Sequence, residues 1–358
     1  MNEVHDAQRL KELQSLSLER KIQISQARII EWYIKFNGNV FISDSGGKDS
    51  AVLRDLVHRI YPNVPCVFSN TGLEYPEIQK LAREHSAEFL YPKMPFPQVV
   101  TEYGYPLVSK EIAQAIYYTR QNKNEGKTTF NKRQELLDSA LLQEKGRSGY
   151  NKKKWLPLCQ RAPFRIGGGC CSIMKKLPIA KYKRESHLIP YLGTTTEESK
   201  VRQQAWLRHG CNAFDSKTPS SQPLSFWTEQ DILRYIKEYD VKICSVYGEI
   251  VEDENGKLQC TGCKRTGCIF CGFGMHLEKG ETRFQRLAKT HPRQYEYALG
   301  GGQWIDNPDY DEFLPEYTDK WKNWNPKQIW IPSKEGLGLK KVFDIGNEIY
   351  GKQMWRYD

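Results

Sequence analysis

The chain has 358 residues, 39% of them hydrophobic, and a formal net charge of +10 at neutral pH. This length allows one large α/β domain and a smaller region, and the absence of any run of about 18 apolar residues argues against a membrane span. The polar start, MNEVHDAQRLKELQ, is unlike a secretory signal peptide, so we expect a cytoplasmic protein. The charge favours an anionic partner or substrate, although a solvated basic surface would give the same value.

Leucines and isoleucines at helical spacing predict one or two helices over residues 7–36. The next predicted elements are a strand over 39–43, a helix over 49–60, a strand over 65–69, a helix over 76–86 and a short strand near 88–91. Alternating strands and helices indicate βαβ units. We therefore expect an α/β fold with a doubly wound, mainly parallel sheet of the Rossmann-like type. The pattern resumes with a strand over 188–193 and ends near a helix over 228–239.

The remaining segments differ in composition from this α/β pattern. Residues 121–154 contain nine Lys and Arg residues against four Asp and Glu, which fits either a nucleic-acid-facing insertion or a solvated helical hairpin. From residue 244 onward the chain is rich in Cys, Gly, Trp and Tyr, with a hairpin-like EDENGK at 252–257. We predict a helical segment (1–36), a nucleotide-binding domain (37–240) and a smaller Cys- and Trp-rich metal-binding region (241–358).

The stretch FISDSGGKDSAVLRDL (41–56) combines a short apolar strand, a glycine turn and an amphipathic helix. The two glycines allow positive φ angles and close approach of the backbone to a ligand, and the helix N-terminus offers N–H groups to an anion. The lysine adds charge, the serines add hydroxyl donors, and the aspartate can orient a metal ion or cap the helix. The spacing is not that of a Walker A motif. The predicted phosphate-binding residues are Ser45, Gly46, Gly47, Lys48, Asp49 and Ser50.

The segment SGGKDS resembles the pyrophosphate loop (PP-loop) of the adenine-nucleotide α-hydrolase superfamily, which includes ATP pyrophosphatases, tRNA thiolation enzymes and phosphoadenosine-phosphosulfate (PAPS) reductases. The segments SNTGLEYPE (69–77), GTTTEESKVR (193–202) and PLSFWTEQDI (223–232) are similar to three later elements of that superfamily, in the same order. The resemblance implies bound ATP and Mg²⁺, with Lys48 and Asp49 as catalytic residues. It adds as nucleotide-binding residues Asn70, Thr71, Gly72, Gly193 and Arg202.

Two features depart from the PAPS reductase pattern. Thr195 stands where many members carry an arginine for the sulfate or phosphate group. The reductases end in a Cys-Gly-Leu-His-like motif, whereas this chain ends KQMWRYD, with no cysteine after Cys271. Together with the intact loop, which is usually degraded in the reductases, these departures favour ATP over PAPS as the nucleotide.

Ten cysteines in a chain expected to be cytoplasmic are more typical of metal ligands or reactive thiols than of disulfides. Two C-x-x-C pairs, Cys260/Cys263 and Cys268/Cys271, lie on one glycine-rich loop, and each pair can place two thiolates on a metal site. Zinc would use these four cysteines alone. An iron–sulfur cluster would combine cysteines of the loop with the distant doublet Cys170/Cys171, so both metals stay open at this point.

The doublet segment CCSIMKKLP resembles the motif with which adenylyl-sulfate reductases hold a [4Fe–4S] cluster. The downstream cysteines resemble equally those of the DndC-type enzymes of DNA phosphorothioation, which are sulfur-transfer enzymes with an intact PP-loop. These resemblances favour the [4Fe–4S] cluster, with zinc as the alternative metal. The DndC-type resemblance implies Cys263, Cys268 and Cys271 as ligands, with Cys170 or Cys171 as the fourth. The spare cysteine of the doublet, or Cys260, could then remain free.

The function implied by these resemblances is ATP-dependent sulfur transfer in the PAPS reductase family. The enzyme would adenylate an acceptor, release pyrophosphate and receive sulfur from a donor such as a cysteine desulfurase. DNA, RNA and a small metabolite all stay open as the acceptor. One alternative is a PAPS- or adenylyl-sulfate-reductase-like oxidoreductase. Another alternative is a nucleotide-gated nucleic-acid-binding protein with a structural metal site. In such a protein, the tryptophans that lie among lysines in DKWKNWNPKQIW (319–330) could stack on bases. The competing interpretation is that those tryptophans form a small aromatic core.

Overall fold

The computed structural model describes residues 5–120, 153–313 and 324–358. Nearly all of the basic segment 121–154 lies outside the described residues, and so does Trp321. The chain divides into two compact units, each built from two stretches of sequence. The first unit comprises Met1–Pro92 and Leu177–Gly267, and the second unit comprises Lys93–Lys176 and Cys268–Asp358. This division is interleaved along the chain, unlike the predicted boundaries after residues 36 and 240.

The helices of the described residues are α1 (Ala7–Gln14), α2 (Leu18–Lys35), α3 (Lys48–His58), α4 (Pro76–Glu84), α5 (Phe96–Tyr103), α6 (Lys110–Arg120), α7 (Leu156–Arg161), α8 (Leu177–Ser186), α9 (Lys200–His209), α10 (Glu229–Glu238), α11 (Arg283–Thr290), α12 (Pro292–Leu299) and α13 (Leu339–Tyr350). None of the helices in these described ranges is both long and apolar enough to cross a lipid bilayer.

The strands of the described residues are β1 (Val40–Asp44), β2 (Cys66–Ser69), β3 (Glu88–Leu90), β4 (Leu107–Val108), β5 (Ile189–Leu192), β6 (Asn212–Ala213), β7 (Ser220–Ser221), β8 (Ile250–Glu252), β9 (Leu258–Cys260), β10 (Gly272–Phe273), β11 (Gln303–Asp306) and β12 (Gln328–Ile331). The strands and helices predicted for 7–91 and 188–239 are present close to their predicted bounds. Residues 253–257 of the EDENGK segment form the turn between β8 and β9, which pair antiparallel, so the predicted hairpin is confirmed.

The first unit is built on a six-stranded sheet with the order β3-β2-β1-β5-β7-β6. Every pairing is parallel except that of β6 with β7. The central strand β1 pairs through Ile42 with both Cys66 and Tyr191. Its residues Val40, Phe41 and Ile42 are fully buried, as expected for a parallel strand that is covered on both faces. The predicted mainly parallel α/β fold is therefore confirmed.

Successive side chains of a strand point to opposite sides of the sheet. Because β1 has apolar side chains on both sides, both faces of the sheet are covered by helices. Val40 and Ile42 belong to the apolar core that includes residues of α2, α3 and α10, whereas Phe41 packs against Tyr182 of α8. The N-terminal helices are part of the same core, since Ile29 and Trp32 of α2 are completely buried in it. The segment predicted as a separate region (1–36) therefore packs as part of the first unit.

Among its described residues, the second unit has an aromatic core and only two-stranded sheets. Helix α13 packs against α7 and α12, and Trp155 and Trp355 are fully buried beside Tyr350. The indole of Trp324 donates to the carbonyl of Ala162 at 2.8 Å. The aromatic-core interpretation therefore fits Trp355, whose ring is buried, and Trp324, whose indole N–H is hydrogen-bonded within the unit.

Candidate functional site

The glycine loop lies between the end of β1 and the start of α3. Gly46 has a φ of +69°, and a Cβ atom there would lie 2.2 Å from Cγ2 of Ile78, so both conformation and space require glycine. Gly47 is the N-cap of α3 with an extended φ of −81°. Of the two glycines for which the sequence predicts positive φ, only Gly46 adopts it.

The loop is held in shape by hydrogen bonds among its own residues. The Ser45 N–H donates to Oγ of Ser50 at 3.2 Å, and the two serine hydroxyl oxygens lie 2.6 Å apart. The Gly46 N–H donates to a carboxylate oxygen of Asp44 at 2.7 Å. The predicted hydroxyl donors Ser45 and Ser50 are thus brought together at the start of α3.

Asp44 was not predicted as a site residue, but its carboxylate accepts a hydrogen bond from the Gly46 N–H of this loop. Its carboxylate is buried and accepts from Arg54 at 2.8 Å, with the His85 ring nitrogen at 3.4 Å. Burial alone would raise the pKa of Asp44, but hydrogen bonding from His85, the charge of Arg54 and the Gly46 N–H together lower it below its ordinary value. We infer that the ionised carboxylate of Asp44 stabilises the turn at Gly46 and is itself stabilised by Arg54.

Lys48 is 4% exposed, and its contacts come from residues far along the chain. Its ammonium nitrogen lies 3.3 Å from the Glu229 carboxylate and 3.3 Å from the carbonyl oxygen of Lys264. Its backbone N–H donates to the hydroxyl of Tyr247 at 3.1 Å. Burial raises the pKa of Tyr247 to about 12, so this hydroxyl stays protonated and neutral, and it occupies a position at the helix N-terminus that suits an anionic oxygen.

The loop opens into a cavity of about 610 Å³, a volume typical of small-molecule sites. All of its lining residues belong to the first unit. The predicted site residues among them are Ser45, Gly47, Lys48, Asp49, Ser50, Gly193 and Arg202. The lining residues that sequence reasoning missed include Glu197, Glu198, Glu229, Tyr247, Arg265 and Thr266.

Gly193 and Arg202 reach the cavity from the segment after β5. A Cβ atom on Gly193 would lie 2.9 Å from both the carbonyl oxygen of Asp49 and the Cα of Ser50, so only glycine allows this approach to α3. Arg202 forms an ion pair with Glu198, and burial lowers its pKa. Both residues therefore line the same cavity as the glycine loop, and their role in nucleotide binding stays a prediction.

Asp49 lines the cavity in the first turn of α3. Burial raises the pKa of its carboxyl group above the ordinary value, although Lys48 and Arg265 act in the opposite direction. A carboxylate that lacks full compensation by cations is suited to a metal ion bound with a nucleotide. The contact of Asp49 with Mg²⁺ stays a prediction.

The predicted residues Asn70, Thr71 and Gly72 follow β2, the neighbour of β1, but are not among the lining residues of this cavity. The Thr71 hydroxyl donates to the Glu74 carboxylate at 2.8 Å, and the Gly72 N–H donates to the Asn70 side chain at 3.1 Å. The segment thus forms a turn with its own hydrogen bonds. Its role in nucleotide binding stays a prediction.

Four of the five predicted metal ligands lie in the second unit: Cys170, Cys171, Cys268 and Cys271. The Cys170 thiol is hydrogen-bonded to Cys171 and lies within electrostatic range of both Cys268 and Cys271. That hydrogen bond, together with Lys110, Lys175 and Lys176, lowers the pKa of Cys171 despite burial. One thiol of the doublet is therefore predisposed to be a thiolate, the form that binds metals.

The local backbone brings the doublet close to its neighbours. The cysteines follow three glycines and precede a single π-helical turn, Ser172–Lys176, a feature that is frequent at functional sites. A Cβ atom on Gly167 would lie 1.8 Å from the carbonyl oxygen of Tyr103, and one on Gly168 would lie 2.8 Å from that of Lys110. The glycines are thus needed for close packing of this segment against α5 and α6.

Cys263 belongs to the first unit. Its thiol donates to the hydroxyl of Tyr75 at 3.7 Å and lies within electrostatic range of Cys244 and Cys260. The two C-x-x-C pairs, which are adjacent in sequence, therefore fall into different units, with the division after Gly267. Sequence spacing alone gave no signal of this division.

The four predicted cysteine ligands of the second unit can be compared with the donors that an iron–sulfur cluster takes. Within the described ranges, no group of three or more Cys, His, Asp or Glu side chains is arranged to hold one metal ion. Each thiolate of a [4Fe–4S] cluster binds a different iron, so its ligands surround the cluster and do not need to converge on one point. Four neighbouring thiols are the number and type of donor that such a cluster takes.

Two comparisons with known proteins found matches to this chain. A family model described as the phosphoadenosine phosphosulfate reductase domain matches residues 39–104 and 127–272, a span that includes the glycine loop and all five predicted metal ligands. One solved structure that the chain matches is the phosphate complex of phosphoadenylyl-sulfate (PAPS) reductase from Candida auris, with 14% identity and a TM-score of 0.35; the match covers 70% of this chain and 97% of that chain. A search of curated proteins found no match.

Proposed function

Because this chain belongs to the phosphoadenosine phosphosulfate reductase domain family, we propose that it is a PP-loop enzyme whose nucleotide is ATP and whose product is a sulfur-containing acceptor. The observation that carries the proposal is the intact loop around Lys48, which opens into a cavity of about 610 Å³. The loop offers the helix N-terminus, a buried ammonium group and two hydroxyls to phosphate oxygens. Such a loop suits a triphosphate.

In the first half-reaction, the phosphates of ATP lie against Ser45–Ser50 and displace the Tyr247 hydroxyl from the Lys48 N–H. A nucleophilic oxygen of the acceptor attacks the α phosphorus, the bond from that phosphorus to the bridging oxygen breaks, and pyrophosphate leaves. Lys48 stabilises the negative charge that develops on the phosphate oxygens. Mg²⁺, held by Asp49, would neutralise the leaving pyrophosphate.

In the second half-reaction, a sulfur nucleophile attacks the acceptor atom that bears the adenylate, the bond to the adenylate oxygen breaks, and AMP leaves. The proposed donor is a cysteine desulfurase that supplies a persulfide, whose terminal sulfur is the nucleophile. A thiolate then attacks the donor sulfur of the resulting disulfide, so that the acceptor keeps the terminal sulfur and the two thiols are oxidised to a disulfide. Cys170, Cys171, Cys268 and Cys271 would hold a [4Fe–4S] cluster, in which each iron would carry one of the four thiolates, so the cluster would tune the electrostatics or the structure of the site. This chemistry corresponds to the DndC-like branch of the family, with a nucleic acid as the favoured acceptor because of the basic charge of the chain.

Isotope exchange between radiolabelled pyrophosphate and ATP tests the first half-reaction. We expect exchange that requires the acceptor and Mg²⁺, and that falls by at least about 100-fold in Lys48→Ala, the loss expected when a charged group that stabilises the transition state is removed. Arg208→Ala, an exposed substitution on α9, is the matched control. ATP binding without any exchange in the presence of DNA, RNA and small-metabolite acceptors would count against adenylation.

A reductase-like oxidoreductase is the second candidate, and the family match itself favours it. In this reaction a thiolate attacks the sulfur of a nucleotide sulfate, the nucleotide phosphate leaves, and a second thiol releases sulfite with formation of a disulfide. Release of sulfite from PAPS or adenylyl sulfate in the presence of thioredoxin would establish this activity. Sulfite release with no pyrophosphate exchange would replace the ATP proposal.

A further inference from the structure

Arg265 and Thr266, which belong to the loop over residues 260–267, line the cavity at the glycine loop. The N–H groups of Thr261, Gly262 and Cys263 donate to the carbonyl oxygens of Glu249, Tyr247 and Val246 at 2.8–2.9 Å. A Cβ atom on Gly262 would lie 2.3 Å from the Val246 oxygen, so glycine is needed for this close packing. The loop is thus fixed by its backbone to the segment that carries Tyr247.

The end of this loop reaches the phosphate-binding residues. The Lys264 carbonyl accepts from the Lys48 ammonium group at 3.3 Å, and the Thr266 hydroxyl lies 2.8 Å from that of Tyr247. Arg265, between them in sequence, lines the cavity together with Arg202. The loop therefore brings a guanidinium group to the cavity from a segment far along the chain from the glycine loop.

Arg265 has no hydrogen bond or ion pair to any of the described residues. It lies within electrostatic range of Asp49 and of Arg202, and Arg202 already pairs with Glu198. Two other lining carboxylates are also engaged, since Glu229 pairs with Lys48 and Glu197 accepts the N–H of Glu229 at 2.7 Å. Two guanidinium groups thus share one cavity while only one of them has a carboxylate partner.

Like charges repel, and an anion bound between them relieves that repulsion. The planar guanidinium group presents paired N–H donors whose geometry matches the oxygens of a phosphate or sulfate. The free guanidinium of Arg265 therefore has the chemistry of an anion-recognition group, and its place in the cavity puts that chemistry beside the glycine loop.

We propose that Arg265, together with Arg202, forms a second anion subsite that takes a phosphate-type group in the same cavity as the PP-loop. Identification of the nucleotide as ATP rests on the proposed function, whereas the subsite itself does not. The group comes either from the terminal phosphate of the nucleotide or from a phosphate-type group of a second substrate. Arg265 is then a specificity-determining residue that comes from the Cys260–Gly267 loop.

Calorimetric titration of AMP, ADP and ATP with Mg²⁺ tests the first source. If the subsite takes the terminal phosphate, Arg265→Ala weakens ATP binding by about 10- to 100-fold, the range for loss of a charge-assisted hydrogen-bonded pair, and leaves AMP binding nearly unchanged. Arg265→Lys keeps part of the affinity because the charge remains. Arg208→Ala, on α9 like Arg202, should match the wild-type protein for all three ligands.

Titration of inorganic phosphate and of sulfate in the presence of saturating AMP tests the second source. Weaker binding of these anions by Arg265→Ala, with an unchanged ATP, ADP and AMP series, supports the subsite and assigns it to a second substrate. Equal behaviour of Arg265→Ala and Arg208→Ala in both series overturns the proposal. A wild-type protein that binds phosphate through Arg265 but does not bind ATP would refute the proposed nucleotide while the subsite stands.

Circular dichroism and thermal unfolding check that Arg265→Ala is folded, and Arg265→Lys replaces it if it is not.

Discussion

The ammonium group of Lys48 lies 3.3 Å from the carbonyl oxygen of Lys264, although the two residues are 216 positions apart in sequence. The contact joins the glycine loop to the loop that carries Cys260 and Cys263. The same ammonium group lies 3.3 Å from Glu229, so a phosphate that binds Lys48 competes with two oxygen atoms of the protein. Affinity for the nucleotide therefore depends on how readily Lys48 exchanges these partners.

Glu229→Gln is expected to strengthen ATP binding by about 2- to 5-fold, because removal of a partly exposed ion pair worth up to ~1 kcal/mol frees Lys48 for phosphate. The Glu229 side chain is 57% exposed, whereas that of Lys48 is 5% exposed. The small size of the expected effect reflects solvent screening of the carboxylate. Calorimetric titration of ATP at fixed Mg²⁺ measures it.

Glu238→Gln, at the other end of α10, is the control for loss of one negative charge. It is exposed and should leave ATP affinity at the wild-type value. Weaker ATP binding by Glu229→Gln than by Glu238→Gln would mean that Glu229 assists the nucleotide, for example by binding Mg²⁺, and does not compete with it.

Asp44→Asn is expected to destabilise the protein by about 3–5 kcal/mol, the cost of leaving the charge of a buried pair without its partner. Arg54, 2.8 Å from Asp44, would keep its charge but lose the carboxylate. Urea unfolding at pH 7 measures the difference in the free energy of unfolding. Asp215→Asn, an exposed substitution in the same unit, should change this free energy by less than about 0.5 kcal/mol.

The stabilising effect of Asp44 should also depend on pH. The pKa of Asp44 is lowered in the folded protein, so its contribution is present above the pKa of the unfolded chain, near 3.8, and is lost as the pH falls through the folded value. Below about pH 4, the free energy of unfolding should fall with decreasing pH more steeply for the wild type than for Asp44→Asn. Parallel curves would contradict the inference that the ionised carboxylate of Asp44 stabilises the turn at Gly46.

The glycine loop was readable from sequence because its strand, turn and helix are adjacent along the chain. Arg265 and Glu229 were not, because they reach the cavity only through long-range packing and carry no local motif. Gly193 was assigned by resemblance, and the structure supplies the physical reason in its close approach to Asp49 and Ser50. The interleaved units could not be predicted either, since composition changes gradually near residue 240 and gives no signal at Pro92 or Gly267.

Gly46→Ala is expected to lower stability by about 2–4 kcal/mol and to abolish measurable ATP binding. Positive φ alone costs an L-residue about 1–2 kcal/mol, and the added methyl group would overlap Ile78, with a separation of 2.2 Å, so the loop must move. Gly256→Ala is a control that separates the two effects, because Gly256 has a φ of +72° and no atom within 4 Å of its added Cβ. Thermal unfolding and ATP titration of both variants make the comparison, and equal losses of stability would show that the contact with Ile78 does not matter.

Anaerobic purification followed by iron and sulfide assays tests the cysteine ligands one at a time. We expect about four irons and four sulfides per chain, as in a [4Fe–4S] cluster, and a large loss of both in each of the four serine variants of the second unit: Cys170→Ser, Cys171→Ser, Cys268→Ser and Cys271→Ser.

Cys263→Ser is the informative variant, because resemblance places Cys263 among the ligands whereas its observed neighbours are Tyr75, Cys244 and Cys260. We expect Cys263→Ser to keep its iron, with Cys260→Ser as the matched control. Loss of iron in Cys263→Ser, together with full iron content in either Cys170→Ser or Cys171→Ser, would show that Cys263 is a ligand, as the resemblance implies. Colourless wild-type protein that contains zinc would exclude the cluster.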